Sequence, residues 1–182
     1  MQTEIIIAGF GGQGVLFTGQ LLSYTAMEQG KHVTWIPSYG PEMRGGTANC
    51  TVIIADDEIG SPLAKYPHAL IAMNLPSLDK YEKMVKPGGV MVVNSSLVNR
   101  DPSRSDIRNV MIPGNEIAES IGDQRVTNMV MLGGMLANME ILTLEAIEKS
   151  LRAHTPERQQ KYLPLNLQAL KQGATYLAEK VK

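Results

Sequence analysis

A glycine-rich segment near the start of the chain has the spacing of an anion-binding turn. Gly9, Gly11 and Gly14 match G-x-G-x-x-G between an apolar run and the start of a long helical pattern. Glycines allow positive φ and close approach of a ligand, and a helix start offers free N–H groups to an anion. The pattern predicts a phosphate-binding turn that also includes Gly12 and Gln13. A turn that only lets the helix and the strand pack closely is the alternative.

The rest of the sequence argues against two common classes of nucleotide-binding enzyme. A dinucleotide site is expected to have Asp or Glu at the end of the second strand, about 20 residues further on. The second predicted strand, Lys31 to Ile36, is followed by no acidic residue before Glu42. The chain also has no Gly-Lys-Ser/Thr of the kind that binds nucleoside triphosphates. An NAD-dependent dehydrogenase and an NTPase are therefore disfavoured.

The second candidate site is a stretch without periodicity, from Pro37 to Gly46, which predicts a loop. Because it follows an early strand of an α/β sheet, we expect it at the carboxyl edge, beside the glycine turn. The planar guanidinium of Arg44 suits a phosphate or a carboxylate, and Tyr39 is suited to stacking on a ring. The alternative is an ordinary surface loop, with Arg44 paired to Glu42 or in solvent.

Composition limits the classes of protein that the chain resembles. Its 182 residues, 43% hydrophobic and 19% charged, predict one globular domain over 1–182. A net charge of −1 without a basic patch gives no case for nucleic acid as a partner. No apolar run approaches the ~20 residues of a membrane span, and no signal-peptide pattern is present. We therefore expect a cytoplasmic protein that contacts no membrane.

Cysteine and histidine usage gives no catalytic or metal site. The single cysteine, Cys50, excludes an intrachain disulfide and an iron–sulfur cluster held by this chain. Its apolar surroundings in sequence predict a small buried residue rather than a nucleophile. The three histidines are scattered without ligand spacing. We therefore assign no catalytic residue and no metal ligand.

The order of the predicted elements indicates an α/β fold. We expect a three-layer α/β/α Rossmann-like domain with a strand over 3–8, a helix over 12–29 and a strand over 47–55. No helix separates this last strand from the second one, and parallel neighbours need a crossover of a dozen or more residues. The strand over 47–55 is therefore expected to run antiparallel to a neighbour or to sit apart, so the sheet is mostly parallel but mixed.

The remaining pattern predicts a helical last third. Further strands are expected over 69–73, 90–94 and 109–112, and helices over 76–86, 115–121, 128–139, 143–153 and 157–180, the last one broken or bent near Pro164. Thr127 or Asn128 is a candidate cap for the helix over 128–139. This helix is apolar nearly all round, which predicts burial on several sides or contact with a partner. Gly133 and Gly134 are expected to let another backbone come close.

Together these segments resemble a known family. The run Gly9-Phe10-Gly11-Gly12-Gln13-Gly14-Val15, followed by Ser38-Tyr39-Gly40-Pro41-Glu42-Met43-Arg44-Gly45-Gly46, is similar to the gamma subunit of 2-oxoacid:ferredoxin oxidoreductases. Lys86-Pro87-Gly88-Gly89 and Asn94-Ser95-Ser96 extend the resemblance over essentially the whole chain. Phe10 and the ending Gly45-Gly46-Thr47 resemble the 2-oxoglutarate or 2-ketoisovalerate types rather than the pyruvate type.

The resemblance implies a multi-subunit enzyme. Such enzymes convert a 2-oxoacid, coenzyme A and oxidised ferredoxin into acyl-CoA, carbon dioxide and reduced ferredoxin. Thiamine diphosphate and Mg are expected on the alpha and beta subunits, and iron–sulfur clusters on other subunits such as a ferredoxin-like delta subunit or domain. The isolated chain is then expected to be inactive and to bind no cofactor firmly by itself.

The resemblance also assigns residues to this chain. The family's glycine turn corresponds to Gly9, Gly11, Gly12 and Gly14, and its arginine loop to Tyr39, Pro41, Glu42, Arg44 and Gly45. Our hypothesis is that these two segments help to bind coenzyme A. The alternatives are a pure scaffold, in which both segments only contact sister subunits, and a free-standing nucleotide-binding domain.

Overall fold

A computed structural model describes residues 1–39 and 46–180. The strands are β1 (Gln2–Phe10), β2 (His32–Tyr39), β3 (Thr47–Ala55), β4 (Ala69–Ala72), β5 (Val90–Asn94) and β6 (Arg108–Ile112). The helices are α1 (Val15–Glu28), α2 (Leu75–Tyr81), α3 (Gly114–Ile121), α4 (Thr127–Leu136), α5 (Leu144–His154) and α6 (Leu163–Lys180). Short 3-10 helices cover Glu82–Met84, Gln124–Val126 and Glu157–Tyr162. None of the helices in the described ranges is both long and apolar enough to cross a membrane.

The six strands form one mixed sheet in the order β2-β3-β1-β4-β5-β6. β1, β4, β5 and β6 are parallel to one another, whereas β3 lies between β1 and β2 and is antiparallel to both. The expectation that strand 47–55 is antiparallel is therefore confirmed. From β1 the chain passes through α1 to β2 on one side of β1 in the sheet, and it later returns to β4 on the opposite side of β1. The carboxyl ends of β1 and β4 thus flank the topological switch point of the sheet, where α/β folds bind ligands.

The prediction that the loop begins at Pro37 is wrong. β2 continues through Pro37 and Ser38 to Tyr39, and Pro37 pairs with Cys50 of β3. Proline has no N–H to donate, but an edge strand needs hydrogen bonds on only one side. Since β2 forms the edge of the sheet, it accommodates the proline that the sequence pattern treated as a strand end.

Helices cover both faces of the sheet. On one face, α1 and the helical last third share a core with alternate residues of the strands, such as Ile5 and Ile7 of β1. On the other face, Leu78 and Tyr81 of α2 pack against Ile6 and neighbouring strand residues. The predicted three-layer α/β fold with a helical C-terminal third is confirmed.

The helix α4 lies in the centre of the helical layer. Every residue from Thr127 to Leu136 is buried, as its apolar pattern predicts. Gly133 lies against the backbone of Leu170 in α6, and Gly173 of α6 lies against the backbone of Val130. The close backbone approach predicted at Gly133 is therefore confirmed. Gly134 instead faces the side chain of Ile112.

Several predicted helix ends differ from the structure. α1 begins at Val15 rather than at 12, because Gly12 and Gly14 have positive φ and form a turn before the helix. Neither Thr127 nor Asn128 caps α4; the preceding 3-10 helix is capped instead by Asp123, which accepts from the Arg125 N–H. The expected break near Pro164 is confirmed, since α6 starts at Leu163 after a 3-10 helix.

Candidate functional site

The glycine turn connects β1 to α1 at the carboxyl edge of the sheet. A Cβ at Gly9 would lie 2.6 Å from Gln13 Oε1 and 2.8 Å from Met73 Cβ, so the strand end has room only for glycine. Gly12 has a φ of 97°, and a Cβ built at this position would have no atom within 4 Å. Gly14 has φ of 73°, and its Cβ would lie 2.5 Å from Asn128 Nδ2. The turn therefore combines tight packing at Gly9 and Gly14 with an open position at Gly12.

The end of the second candidate segment lies directly against this turn. The Gly11 N–H donates to the Gly46 carbonyl at 2.9 Å, and Phe10 pairs with Thr47 at the start of β3. The expectation that the two segments meet at one sheet edge holds for the described end of the segment. Arg44, Gly45 and the side chain of Tyr39 lie outside the described residues.

The side chain of Gln13 is fixed by two donors. The Phe10 N–H and the Asn74 Nδ2 amide donate to Gln13 Oε1 at 2.6 and 3.2 Å. Asn74 in turn caps α2, because its Oδ1 accepts from the Ser77 N–H at 3.0 Å. Gln13 therefore joins the glycine turn to the start of α2.

A second set of side-chain contacts follows the end of β5. Asn94 is fully buried; its Oδ1 accepts from the Gly114 N–H at 3.1 Å, and its Nδ2 donates to Asn115 Oδ1 at 2.9 Å and to the Met73 carbonyl at 3.2 Å. Ser96 Oγ accepts from the Asn115 N–H at 2.9 Å. These contacts fix the start of α3 against the ends of β4 and β5.

A cleft of about 260 Å³ opens between these two sets of contacts. It lies at the switch point, between the turn after β1, the residue after β4 and the starts of α3 and α4. The residues that line it are Gly12, Gln13, Met73, Asn115, Gln124, Arg125 and Thr127. Of the predicted site residues, the cleft thus contains Gly12 and Gln13.

The cation of the cleft is neutralised by a neighbouring acid. Arg125 donates from Nε and Nη2 to the Asp123 carboxylate at 2.6 to 3.0 Å, and its guanidinium lies 4.4 Å from the centre of the Tyr162 ring. The hydrogen bonds between these two side chains lower the pKa of Asp123 and raise the pKa of Arg125. Both groups are therefore charged at neutral pH, and their charges compensate each other.

One cysteine cannot hold an iron–sulfur cluster, and the described residues offer no ligand set for a metal ion. The single cysteine, Cys50, is buried, and burial raises the pKa of the thiol to about 12. Within the ranges that the structure describes, no three His, Cys, Asp or Glu side chains lie close enough together to hold a metal ion. The residues present therefore do not fit such groups.

The sequence analysis did not assign four residues of this edge to the site: Asn74, Asn94, Asn115 and Asn128. Asn128 is buried and donates to the Gly14 carbonyl at 3.3 Å and to Thr18 Oγ1 at 3.1 Å, so it connects α4 to the glycine turn. A usable signal was present for two of them. Asn94 ends β5 and Asn74 comes two residues after β4, which places both at the carboxyl ends of parallel strands.

Comparison with known proteins identifies the family of this fold. The sequence pattern of the pyruvate ferredoxin/flavodoxin oxidoreductase family matches residues 4–176. The chain belongs to this family. Ketoisovalerate oxidoreductase subunit VorA of Methanothermobacter thermautotrophicus is 37% identical over 182 residues, which are 100% of this chain and 38% of VorA. The chain therefore spans well under half the length of that family member.

Two further similar proteins match this chain in length as well. 2-Oxoglutarate synthase subunit KorC of Methanocaldococcus jannaschii is 36% identical over 160 residues, 86% of each chain. The keto/oxoacid ferredoxin oxidoreductase gamma subunit of Geobacter sulfurreducens is 32% identical, covers 97% of this chain and 99% of its own, and has a TM-score of 0.82. The predicted resemblance to gamma subunits is thereby confirmed.

A further solved structure shares the fold alone. It is a 2-oxoglutarate:ferredoxin oxidoreductase from Magnetococcus marinus with 2-oxoglutarate, coenzyme A and succinyl-CoA bound. It is 21% identical with a TM-score of 0.86, and the match covers 100% of this chain and 32% of that one. The same unit thus occurs both as a separate chain and within a much longer one.

Proposed function

We propose that this gamma-type chain binds part of coenzyme A within a thiamine-dependent 2-oxoacid:ferredoxin oxidoreductase and completes its assembly. Its partners are the alpha and beta subunits and a ferredoxin-like delta subunit or domain, with ferredoxin as the electron acceptor. The complex would convert a 2-oxoacid and coenzyme A into acyl-CoA and carbon dioxide. The isolated chain would be inactive.

The observation that carries this proposal is the junction of the two candidate segments. The hydrogen bond from Gly11 to Gly46 brings the glycine turn and the end of the arginine loop to one edge of the sheet, beside the cleft. α1 begins there without a side-chain cap, so its first N–H groups are free for an anion. Coenzyme A carries phosphates, which suit a helix start together with an arginine.

The chemistry assigned to this chain is positioning. Thiamine diphosphate on partner subunits would supply the chemistry of carbon–carbon cleavage, and iron–sulfur clusters on other subunits would supply electron transfer. Fixing the thiol of coenzyme A beside a reacting centre lowers the barrier by replacing a collision with a bound geometry, worth roughly 7–11 kcal/mol at best. A misplaced phosphate end would therefore reduce turnover without touching the reacting atoms.

For the 2-oxoacid, we propose 2-oxoglutarate or a branched-chain 2-oxoacid rather than pyruvate. The support is Phe10 in the glycine turn, together with relatives named for ketoisovalerate and 2-oxoglutarate. A panel of 2-oxoacids, assayed with coenzyme A and a viologen dye on the complex captured anaerobically through this chain, tests it. A clear preference for pyruvate would overturn the assignment.

The test of coenzyme A binding is Arg44→Ala in the assembled complex. Loss of a charge-assisted contact to phosphate should raise the apparent KM for coenzyme A roughly tenfold or more, and leave the KM for the 2-oxoacid unchanged. Arg152→Ala, an exposed residue of α5, is the matched control. An unchanged KM for coenzyme A would remove Arg44 from the site.

A purely structural role is the second candidate function. It is favoured by Gly9 and Gly14, both of which are explained by packing against Met73 and Asn128 without any ligand. In that case Arg44→Ala or Tyr39→Ala would release the chain from its sister subunits during gel filtration. A ligand-binding role instead predicts intact assembly and reduced turnover. The isolated chain should bind no adenine nucleotide, which separates both roles from a free-standing nucleotide-binding domain.

A further inference from the structure

The amide of Gln13 has a fixed orientation. A backbone N–H can only donate, so the Phe10 N–H identifies the atom it contacts as Gln13 Oε1. The Ser77 N–H likewise identifies Asn74 Oδ1, which leaves Asn74 Nδ2 to donate to the same Gln13 oxygen. Both contacts assign the oxygen of Gln13 in the same way. Its Nε2 group is therefore left as a donor.

The orientation of the Asn115 amide, on the other side of the cleft, follows from its hydrogen-bond partner in the same way. The Gly114 N–H identifies Asn94 Oδ1 as an acceptor, so Asn94 Nδ2 is the donor to Asn115 Oδ1. Asn115 Nδ2 is then left as a donor. Among residues 1–39 and 46–180, neither this group nor Gln13 Nε2 has a hydrogen-bond partner.

Two of the residues that line the cleft, Gln13 and Asn115, therefore each keep an uncharged donor available. The cleft's one lining cation, within the described part of the chain, is Arg125, which is held in several hydrogen bonds by Asp123. A phosphate or a carboxylate would have to compete with Asp123 for this guanidinium. An uncharged ligand with carbonyl oxygens accepts from amide donors without that competition.

We propose that this cleft binds the pantetheine arm of coenzyme A, with Gln13 and Asn115 donating to the amide carbonyls of the arm. The proposal rests on the proposed function and refines it. The neutral arm that carries the thiol is assigned to the switch-point cleft, and the charged phosphoadenosine end is assigned no site within it.

The test uses substitutions that keep the anchoring oxygen and remove the donor. Gln13→Glu retains an oxygen for Phe10 and Asn74, and Asn115→Asp retains one for Asn94. Gln29→Glu, at the exposed far end of α1, adds the same charge away from the cleft and is the control. In the assembled complex, two quantities are measured: the KM for coenzyme A, and the inhibition constant of phosphoadenosine diphosphate, the charged half of the substrate. Unchanged thermal unfolding midpoints verify folding.

Each cleft substitution is expected to raise the KM for coenzyme A about tenfold, as lost hydrogen bonds to the arm predict, and to change the inhibition constant less than twofold. An unchanged KM, or an equal rise in both constants, would overturn the assignment of the arm. Arg44→Ala keeps the proposed function separate, because it should weaken both coenzyme A and its charged half. If Arg44→Ala changes neither constant while the cleft variants raise the KM, the arginine assignment fails and the cleft assignment stands.

Discussion

Gly14 is required for two separate reasons, its backbone conformation and its close packing against Asn128. Its φ of 73° is unfavourable for any residue with a Cβ, and that Cβ would also lie 2.5 Å from Asn128 Nδ2. Gly30 has nearly the same φ, 74°, but open space around it. A comparison of Gly14 with Gly30 therefore separates the effect of the backbone conformation from the effect of close packing.

We predict that Gly14→Ala destabilises the chain more than Gly30→Ala. Gly30→Ala should lower the free energy of unfolding by about 1–2 kcal/mol, the cost of left-handed backbone for an L residue. Gly14→Ala should lower it by roughly 1–3 kcal/mol more, because Asn128 must move and leave Gly14 and Thr18 without its hydrogen bonds. Urea denaturation of both variants measures the difference in the free energy of unfolding. Equal decreases would show that the Asn128 side chain moves aside without cost and would contradict the prediction.

At the scale of elements, a buried acid holds the segment between β5 and β6 against the 3-10 helix that follows α2. The Glu82 side chain is 5% exposed, and its carboxylate accepts from Arg100 Nη2 at 2.9 Å and from the Ser103 N–H. Burial opposes ionisation of this carboxyl, but the hydrogen bonds from Arg100 and Ser103 outweigh it and lower the pKa of Glu82 below its usual 4.5. The folded chain therefore holds Glu82 ionised more firmly than the unfolded chain does.

This pKa predicts the direction of an acid effect on stability. A lowered pKa contributes stability that is present above pH 4.5 and is lost as the pH falls through the folded-state pKa. Glu82→Gln should cost about 2 kcal/mol at neutral pH and should flatten the loss of stability on acidification. Denaturation curves across this pH range test it. The exposed Glu119→Gln should follow the unchanged chain, and identical acid profiles for all three would contradict the prediction.

The contact between α4 and α6 predicts another pair of unequal substitutions. Gly133 lies against the Leu170 carbonyl, a backbone atom that cannot turn aside, whereas Gly134 lies against the tip of the Ile112 side chain. Gly133→Ala should therefore separate the two helices and cost about 3 kcal/mol or more, and Gly134→Ala about 1–3 kcal/mol. Thermal unfolding of both variants gives the order, and a reversed order would contradict the backbone contact.

The elements that could be predicted from the sequence are those whose patterns lie within a short stretch of the chain. Hydrophobic periodicity located the strands and the buried helix α4, and the missing crossover before residue 47 indicated an antiparallel strand. The extension of β2 through Pro37 depends on its edge position, which local sequence does not encode. Asn128 has the residue type of a helix cap, but it contacts the glycine turn more than a hundred residues away. The asparagine contacts of the cleft likewise arise only when separate strands meet.

At the scale of the whole molecule, the question is whether this chain carries out redox chemistry without its relatives' other subunits. The chain has one buried cysteine, and the described residues hold no metal-ligand cluster. We therefore predict that the purified chain alone shows no coenzyme A-dependent dye reduction with any 2-oxoacid. Activity should appear when alpha, beta and delta subunits are added back. Dye reduction by the chain alone, free of sister subunits by mass spectrometry, would contradict the assignment as a gamma-type subunit.

The reversed strand β3 has a consequence for the order in which the chain folds. The antiparallel half of the sheet is local in sequence, because β1, β3 and β2 pair with one another within residues 2–55. The parallel half of the sheet must wait for later segments. The switch-point cleft needs Met73, Asn115 and Gln124 as well, so it forms only after the parallel strands are in place. A ligand seated there would therefore stabilise the completed fold rather than the locally paired strands alone.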